Sequence, residues 1–345
     1  MVERIKAILN EIKVPMSRPS IDTETENSMF DVIKSGWFSQ GKKTQEFENN
    51  LSKYFSSKAV VVNNGTSALT AALMAHGIKS GDKVVVPSFT FIATSSAAKI
   101  LGAKILVADV DPITLNITPE SIEKIVKEHD DVKAVMVVDM AGQPVDFEPI
   151  IELSKRHNFI LIEDAAQAIG SEYKNKKIGS FDHTTCFSFT VAKLMTTIEG
   201  GCITTNDEQI YKKLNQIRNV GRDGPGQYVH HVIGSNYRFT DLQAVLGIHQ
   251  LKQLDQFVSQ RIKIAEKYEN GINTLTFQQT PDYVTTHPHM LFFAFSENQE
   301  KRDKNLKFLR DSGIDARLPY MPINIQPCNP ELQIFNSPNA NDIFE

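Results

Sequence analysis

The sequence predicts an α/β protein built on a largely parallel sheet, followed by a smaller α+β portion. Three observations carry this. Short β-branched or aliphatic runs recur between Lys58 and Ile162, at residues 59–62, 83–86, 104–108, 132–138 and 159–162. Helical patterns such as 119–127 and 147–156 lie between several of them, the alternation that places helices on both faces of a sheet. After Thr205 the alternation stops, and apolar residues recur at helical spacing from Leu242 to Tyr268.

Taken in order, residues 1–14 (MVERIKAILNEIKV) mix Glu3 and Glu11 into an apolar pattern, which predicts a short amphipathic helix and not a secretory leader. Residues 15–58 open as an extended Pro-containing segment, continue as a polar helix, and reach the turn-like run Ser35 to Gly41 with the only tryptophan, Trp37. That ring is either a surface anchor or the rim of a site. The strand 59–62 leads through Asn63, Asn64, Gly65, Thr66 and Ser67 into a helix over 68–76. Residues 186–205 read as a strand, a turn carrying Lys193, a turn closed by Gly200 and Gly201, and a second strand. Phe187 and Phe189 alternate with Ser188, so the rings face one side of that strand and the hydroxyl the other. Thr240 and Asp241 start the long helix, which bridges two domains. Beyond it, 290–295 reads as a strand, 300–311 as a helix and 314 onward as a strand. The predicted division is a large cofactor-binding domain over residues 1–244 and a small α+β domain over 245–345.

Composition narrows the function classes. The chain has 345 residues, 41% hydrophobic and 23% charged, with net charge −4, as an ordinary soluble protein has. The acidic balance and the lack of a basic stripe argue against a nucleic-acid partner. No apolar run approaches the roughly 20 residues needed to span a bilayer. Cys186, Cys202 and Cys328 are widely separated, without CxxC or metal-ligand spacing, so neither a disulfide framework nor a metal site is expected. A reducing cytoplasm is the default compartment.

Three motifs carry chemistry. Gly65, Thr66 and Ser67, between strand and helix, offer a tight turn, two hydroxyls and the free N–H groups of a helix start, which suit a phosphate. An ordinary N-cap is the plain alternative. Asp164, in Glu163-Asp164-Ala165-Ala166-Gln167, stands at a strand C-terminus, where parallel sheets bind ligands, and suits a cationic nitrogen. Its alternative is a helix cap followed by a solvent-facing Gln167. Lys193, among small and apolar residues, suits a Schiff base with a carbonyl cofactor, provided burial lowers its pKa. Pyridoxal 5'-phosphate needs an amine, a carboxylate for its ring nitrogen, a phosphate cup and a flat group against its ring. Lys193, Asp164 and the cup with Ser188 supply three of these. Phe91 supplies the fourth, with Phe89 as its rival.

At this point the sequence resembles the DegT/DnrJ/EryC1/StrS family of sugar aminotransferases over nearly the whole chain. The matching stretches include Asn64 to Leu69, Val86 to Phe91, Gly142-Gln143-Pro144, Glu163 to Gln167, Phe187 to Lys193, Glu199-Gly200-Gly201, Arg218 to Arg222, Gly234 to Arg238, and Gly313-Ile314 with Tyr320-Met321-Pro322. The resemblance implies the type I aspartate-aminotransferase fold. It also implies a homodimer with shared active sites, and transfer of an amino group from glutamate to a nucleotide-diphosphate-linked keto sugar. Lys193 would be the catalytic Schiff-base lysine, and Asp164 the partner of the pyridine nitrogen. Gln167 would lie by the phenolic oxygen, and Phe91 on the ring. Gly65, Thr66, Ser67 and Ser188 would take the phosphate, and Asn236 the phosphate of the neighbouring subunit. Trp37, Arg222 and Tyr320 would face the substrate.

The sequence departs from the family at several points. Ile198 stands where a glycine often precedes Glu199, Asp139 where a histidine is frequent, and Pro319 where a histidine commonly precedes Tyr320. Relatives also usually continue beyond the position of Glu345, so a shortened small domain is expected. Two other classes compete with the aminotransferase. A sugar dehydratase of this fold carries a histidine at the lysine position, which Lys193 disfavours. A non-catalytic relative would not need the full set of cofactor residues.

Overall fold

The computed structural model describes residues 12–224 and 226–345, so the amphipathic helix expected at 1–14 lies almost wholly outside the described residues. Two helices lead in, α1 (Thr23–Ser35) and α2 (Lys42–Phe55). The strands and helices then alternate: β1 (Lys58–Val62), α3 (Gly65–Ala75), β2 (Lys83–Pro87), α4 (Ala93–Ile100), β3 (Lys104–Ala108), α5 (Pro119–Glu128), β4 (Val132–Val138), α6 (Phe147–His157) and β5 (Ile160–Asp164). After the short strands β6 (Glu172–Tyr173) and β7 (Lys176–Lys177) come β8 (Thr184–Ser188), β9 (Gly201–Thr205) and α7 (Glu208–Arg218). The 31-residue α8 (Asp241–Gly271) follows, its Thr240 and Gln243 forming a reciprocal capping box.

Seven strands form the main sheet in the order β1-β9-β8-β5-β4-β2-β3. Only β9 runs against the others, antiparallel to both β1 and β8. Each strand is buried on both faces, which explains its continuous apolar composition. One core holds Phe47, Leu51 and Phe55 of α2 with residues of α5, α6 and α8. The other holds the alanine-rich face of α3 with α4 and α7. Phe187 and Phe189 enter the first core while Cys186 enters the second, as a period-two strand requires. The α2 helix was not anticipated; its apolar residues are only every fourth, in an otherwise polar sequence, yet Phe47, Leu51 and Phe55 are fully buried.

The C-terminal part departs most from expectation. Of the strand expected at 290–295, only β12 (Ala294–Phe295) forms, paired with β10 (Thr276–Phe277). The rings of Phe292 and Phe293 are instead used for packing, against Tyr268 and Phe277, and against Phe89. A third short strand, β11 (Val284–Thr286), extends the β6–β7 hairpin. No strand begins at Ile314; that residue makes a single bridge to Val14, and Gly313 O accepts from Lys13 N and Val14 N. The helix α9 (Gln299–Asp311) starts at an Asn298 cap, and α10 (Pro338–Phe344) closes the described chain. Among the described residues no helix is long and apolar enough to cross a membrane.

Candidate active site

The C-terminal ends of the parallel strands gather most of the residues singled out by sequence, as open α/β sheets do. At the end of β1, helix α3 begins three residues earlier than expected. Gly65, Thr66 and Ser67 are therefore its first turn, and the cap is Asn64, whose Oδ1 accepts from Ser67 N at 2.8 Å. Gly65 is pressed on Ser188 at the end of β8; a Cβ there would stand 2.7 Å from Ser188 Cβ. Among the described residues the hydroxyls of Thr66, Ser67 and Ser188 donate to nothing in the chain, although Ser67 and Ser188 are nearly buried. Three unengaged hydroxyls around a helix N-terminus make a cup for an anion.

At the end of β5, Asp164 is buried, with Oδ2 accepting from Thr94 Oγ1 at 2.7 Å and Oδ1 from Ala166 N at 3.2 Å. Burial raises its pKa, while Thr94, Ala166 and the charge of Lys193 pull it down. Turns follow Asp164 in place of the helix that its capping role would need, and Gln167 is buried where that reading expected it in solvent. Gln167 Oε1 accepts from Ala141 N at 3.1 Å, which ties it to the turn leaving β4.

Lys193 lies in the loop between β8 and β9, where Lys193 N donates to Thr190 O and Thr197 N to Phe189 O, both at 2.9 Å. Burial pulls its pKa down to about 8, and Asp164 pulls the other way. Among the described residues its Nζ has no hydrogen-bond or ion-pair partner, so no protein group occupies the amine. Ile198, where a glycine is usual, has φ of 72°, in the left-handed region that β-branched residues avoid.

The two phenylalanines separate clearly. Phe89 is fully buried in a small core with Val110 and Met140, whereas Phe91 is 53% exposed. The Tyr320 ring stands edge-on to Phe91, with centroids 5.8 Å apart, and its hydroxyl is pushed up to about 12 by burial and by Asp164. Phe91, Tyr320, Asp164 and Lys193 are thus one neighbourhood.

Three sequence candidates are not drawn into it. Trp37 folds over Gly41 in its own turn, where a Cβ on that glycine would meet Trp37 Nε1 at 2.3 Å. Arg222 binds Asn219 and Gln227 of its own loop. Asn236 is exposed and bridges to Asn219, while its neighbour Tyr237 accepts at O from Asn63 N beside the cup. Sequence reasoning missed Thr94, which reaches Asp164 across 70 positions. The signal available was its place three residues beyond Phe91, on the first turn of α4.

A model of the DegT/DnrJ/EryC1/StrS aminotransferase family matches residues 19–345. The chain is 36% identical over 316 residues to a GDP-perosamine synthase of Escherichia coli O157:H7, covering 91% of this chain and 86% of that protein. It is 34% identical over 322 residues to a GDP-perosamine synthase of Caulobacter vibrioides, with the same coverage. Among solved structures, the putative sugar aminotransferase Spr1654 from Streptococcus pneumoniae in its PLP-form superposes with a TM-score of 0.89 at 26% identity, covering 96% of this chain and 91% of that one.

Proposed function

Since the chain belongs to the DegT/DnrJ/EryC1/StrS aminotransferase family, we propose that it transfers an amino group from glutamate to the keto group of a nucleotide-diphosphate-linked sugar, with pyridoxal phosphate as cofactor, in amino-sugar or surface-polysaccharide biosynthesis. The observation that carries this reading is the meeting, at the C-terminal ends of the parallel strands, of the Asp164 carboxylate with a Lys193 amine and three hydroxyls that have no partner among the described residues. These residues fit the cofactor's parts. When bound, pyridoxal phosphate supplies a carbonyl that takes up and returns an amino group, and a ring that accepts electrons.

The protein's own groups would work as follows. Thr66, Ser67 and Ser188, with the first N–H groups of α3, would hold the phosphate through charge-assisted hydrogen bonds. Asp164 would accept from the ring nitrogen, and Thr94 keeps that carboxylate turned toward the site. Lys193 would hold the cofactor through Nζ and, when released, carry a proton at that atom. An amine with pKa near 8 is well matched to such exchange near neutral pH. Phe91 and Gln167 would bound the ring, and Tyr320 the substrate side. For the homodimer with a shared site, support comes from the exposed segment that ends at Asn236, in which Tyr228 and Ile233 show more than four-fifths of their surface. Trp37 and Arg222 would reach substrate in that assembly.

The test is to incubate the purified protein with glutamate and a panel of nucleotide-linked keto sugars and identify aminated products by mass. Borohydride should fix the chromophore onto Lys193, and Lys193→Ala should abolish turnover. Sustained amination by Lys193→Ala, or a deoxy sugar formed without nitrogen, would refute the proposal.

A further inference from the structure

Behind the site, on the face of β5 opposite Asp164, lies a buried cluster that the proposed reaction does not use. Glu163 and Asp139 are fully buried and within hydrogen-bonding reach of each other. Glu163 Oε2 takes two donors, Thr185 Oγ1 at 2.6 Å and His183 Nε2 at 2.8 Å. Asp139 Oδ1 accepts from Val145 N at 3.1 Å. The other oxygens, Glu163 Oε1 and Asp139 Oδ2, find no donor among the described residues, and neither does His183 Nδ1 find a partner. Buried acceptors without donors are costly, and two carboxylates at this distance cannot both stay ionised without a compensating charge.

We infer that Asp139 and Glu163 share one proton between Asp139 Oδ2 and Glu163 Oε1, and that the pair serves as positioning residues for Gln167. The proton satisfies both orphan oxygens at once. His183 then stays neutral, donating from Nε2, and its ring is stacked on Phe147 and Phe181. Burial lowers the pKa of His183 and raises those of both acids, in keeping with that arrangement. The other titratable groups acting on the cluster are Asp164 and Cys186 beside Glu163, Asp182 beside His183, and Tyr283 near Asp139. None of these is a cation.

The link to the site runs through the turn leaving β4. Asp139 holds that turn by accepting from Val145 N, and Gly142 N donates back to Asp139 O. Between those bonds Ala141, at φ of 62°, presents its N–H to Gln167 Oε1. A Cβ on Gly142 would meet Gln167 O at 2.8 Å, so the turn is packed directly on the glutamine backbone and the Ala141 N–H bond joins the two. Losing the proton sets two buried negative charges against each other and loosens the turn on which Gln167 rests. This role depends on the reading that Gln167 bounds the cofactor ring.

Asp139→Asn and Glu163→Gln test it, because each supplies an N–H in place of the shared proton. Infrared spectra of the holoenzyme at neutral pH should show a buried carboxylic-acid carbonyl band that both variants lose. Cofactor retention by wild type should fall as pH rises through the titration of the pair, by up to about tenfold per pH unit, relative to either variant. Should both variants fail to fold, the band in wild type, shifted by isotope-labelled glutamate or aspartate, decides alone. Absence of the band would mean a His183 imidazolium between two carboxylates, and would overturn the inference. So would a band lost in only one variant, or retention with the same pH dependence in all three proteins. The infrared result holds whether or not the protein is an aminotransferase, so the two proposals fail separately.

Discussion

Ile198 offers a test of how tightly the lysine-bearing loop is determined. The loop must return from Lys193 to β9 through Glu199, Gly200 and Gly201, and neither glycine can carry a side chain: a Cβ would lie 2.2 Å from Thr197 Oγ1 in one case and 2.6 Å from Asn64 O in the other. Ile198 is held at φ of 72°, with its N–H donated to Thr196 Oγ1 at 2.9 Å. A residue with a Cβ in that region costs about 1–2 kcal/mol, and a glycine costs nothing there sterically. Comparing Ile198→Gly with Ile198→Ala cancels the loss of the isoleucine side chain. At an ordinary helix or strand position alanine would be ahead by about 0.5–1 kcal/mol through backbone entropy. Here relief of the left-handed strain outweighs that, so Ile198→Gly should be the more stable of the two by about 0.5–1 kcal/mol. Urea denaturation midpoints of the two holoenzymes measure the difference. Alanine equal to or ahead of glycine would show that the loop gives way and that φ is not imposed.

Two further outcomes follow from the same geometry. Gly65→Ala places a methyl where Ser188 stands, which on the proposed reading removes one hydrogen bond to the cofactor's phosphate, so retention should weaken roughly tenfold to a hundredfold, read by loss of visible absorbance on gel filtration; unchanged retention would mean that Ser188 is not part of the cup. In the cofactor-free protein, capture of a carbonyl reagent by Lys193 should rise with pH and level off above about 8, where the amine is neutral. A lysine in the unfolded chain keeps its proton to about 10.4, so the folded state binds one proton fewer between those values and stability should rise with pH across that window. A capture midpoint above pH 10 would contradict the burial that lowers this group.

The main sheet was legible because strands covered on both faces have no polar alternation to disguise them, and because β1 to β5 come at regular intervals with helices between. The same rule misleads in the C-terminal part. Residues 290–295 have strand composition, but Phe292 and Phe293 pack on rings from other segments, and the backbone finds a partner only at Ala294 and Phe295. At Ile314 the partner is Val14, whose place no local pattern foretells. In the candidate site, residues whose proposed roles follow from their own chemistry could be singled out directly: an isolated lysine, a carboxylate at a strand end, hydroxyls at a helix start. Thr94, Asp139 and His183 could not, because each acts through a neighbour far away in sequence.

The antiparallel strand β9 explains why Lys193 belongs to this site at all. A parallel successor to β8 would have required a crossover to the opposite end of the sheet, a dozen or more residues that carry the chain away from the strand C-termini. Because β9 pairs antiparallel, with Ser188 opposite Gly201, the whole segment between them stays at the end where Gly65, Asp164 and Phe91 also lie. That reversal has to be tight. It rests on two glycines with no room for a Cβ, on Thr196 and Thr197 bonding back to Phe189 O, and on a strained Ile198. The strain at Ile198 and the partial burial of Lys193 therefore share one cause. A looser loop would relax the isoleucine, and would also let the ammonium reach water and recover its ordinary pKa, cutting the neutral amine from roughly a tenth at neutral pH to a negligible fraction.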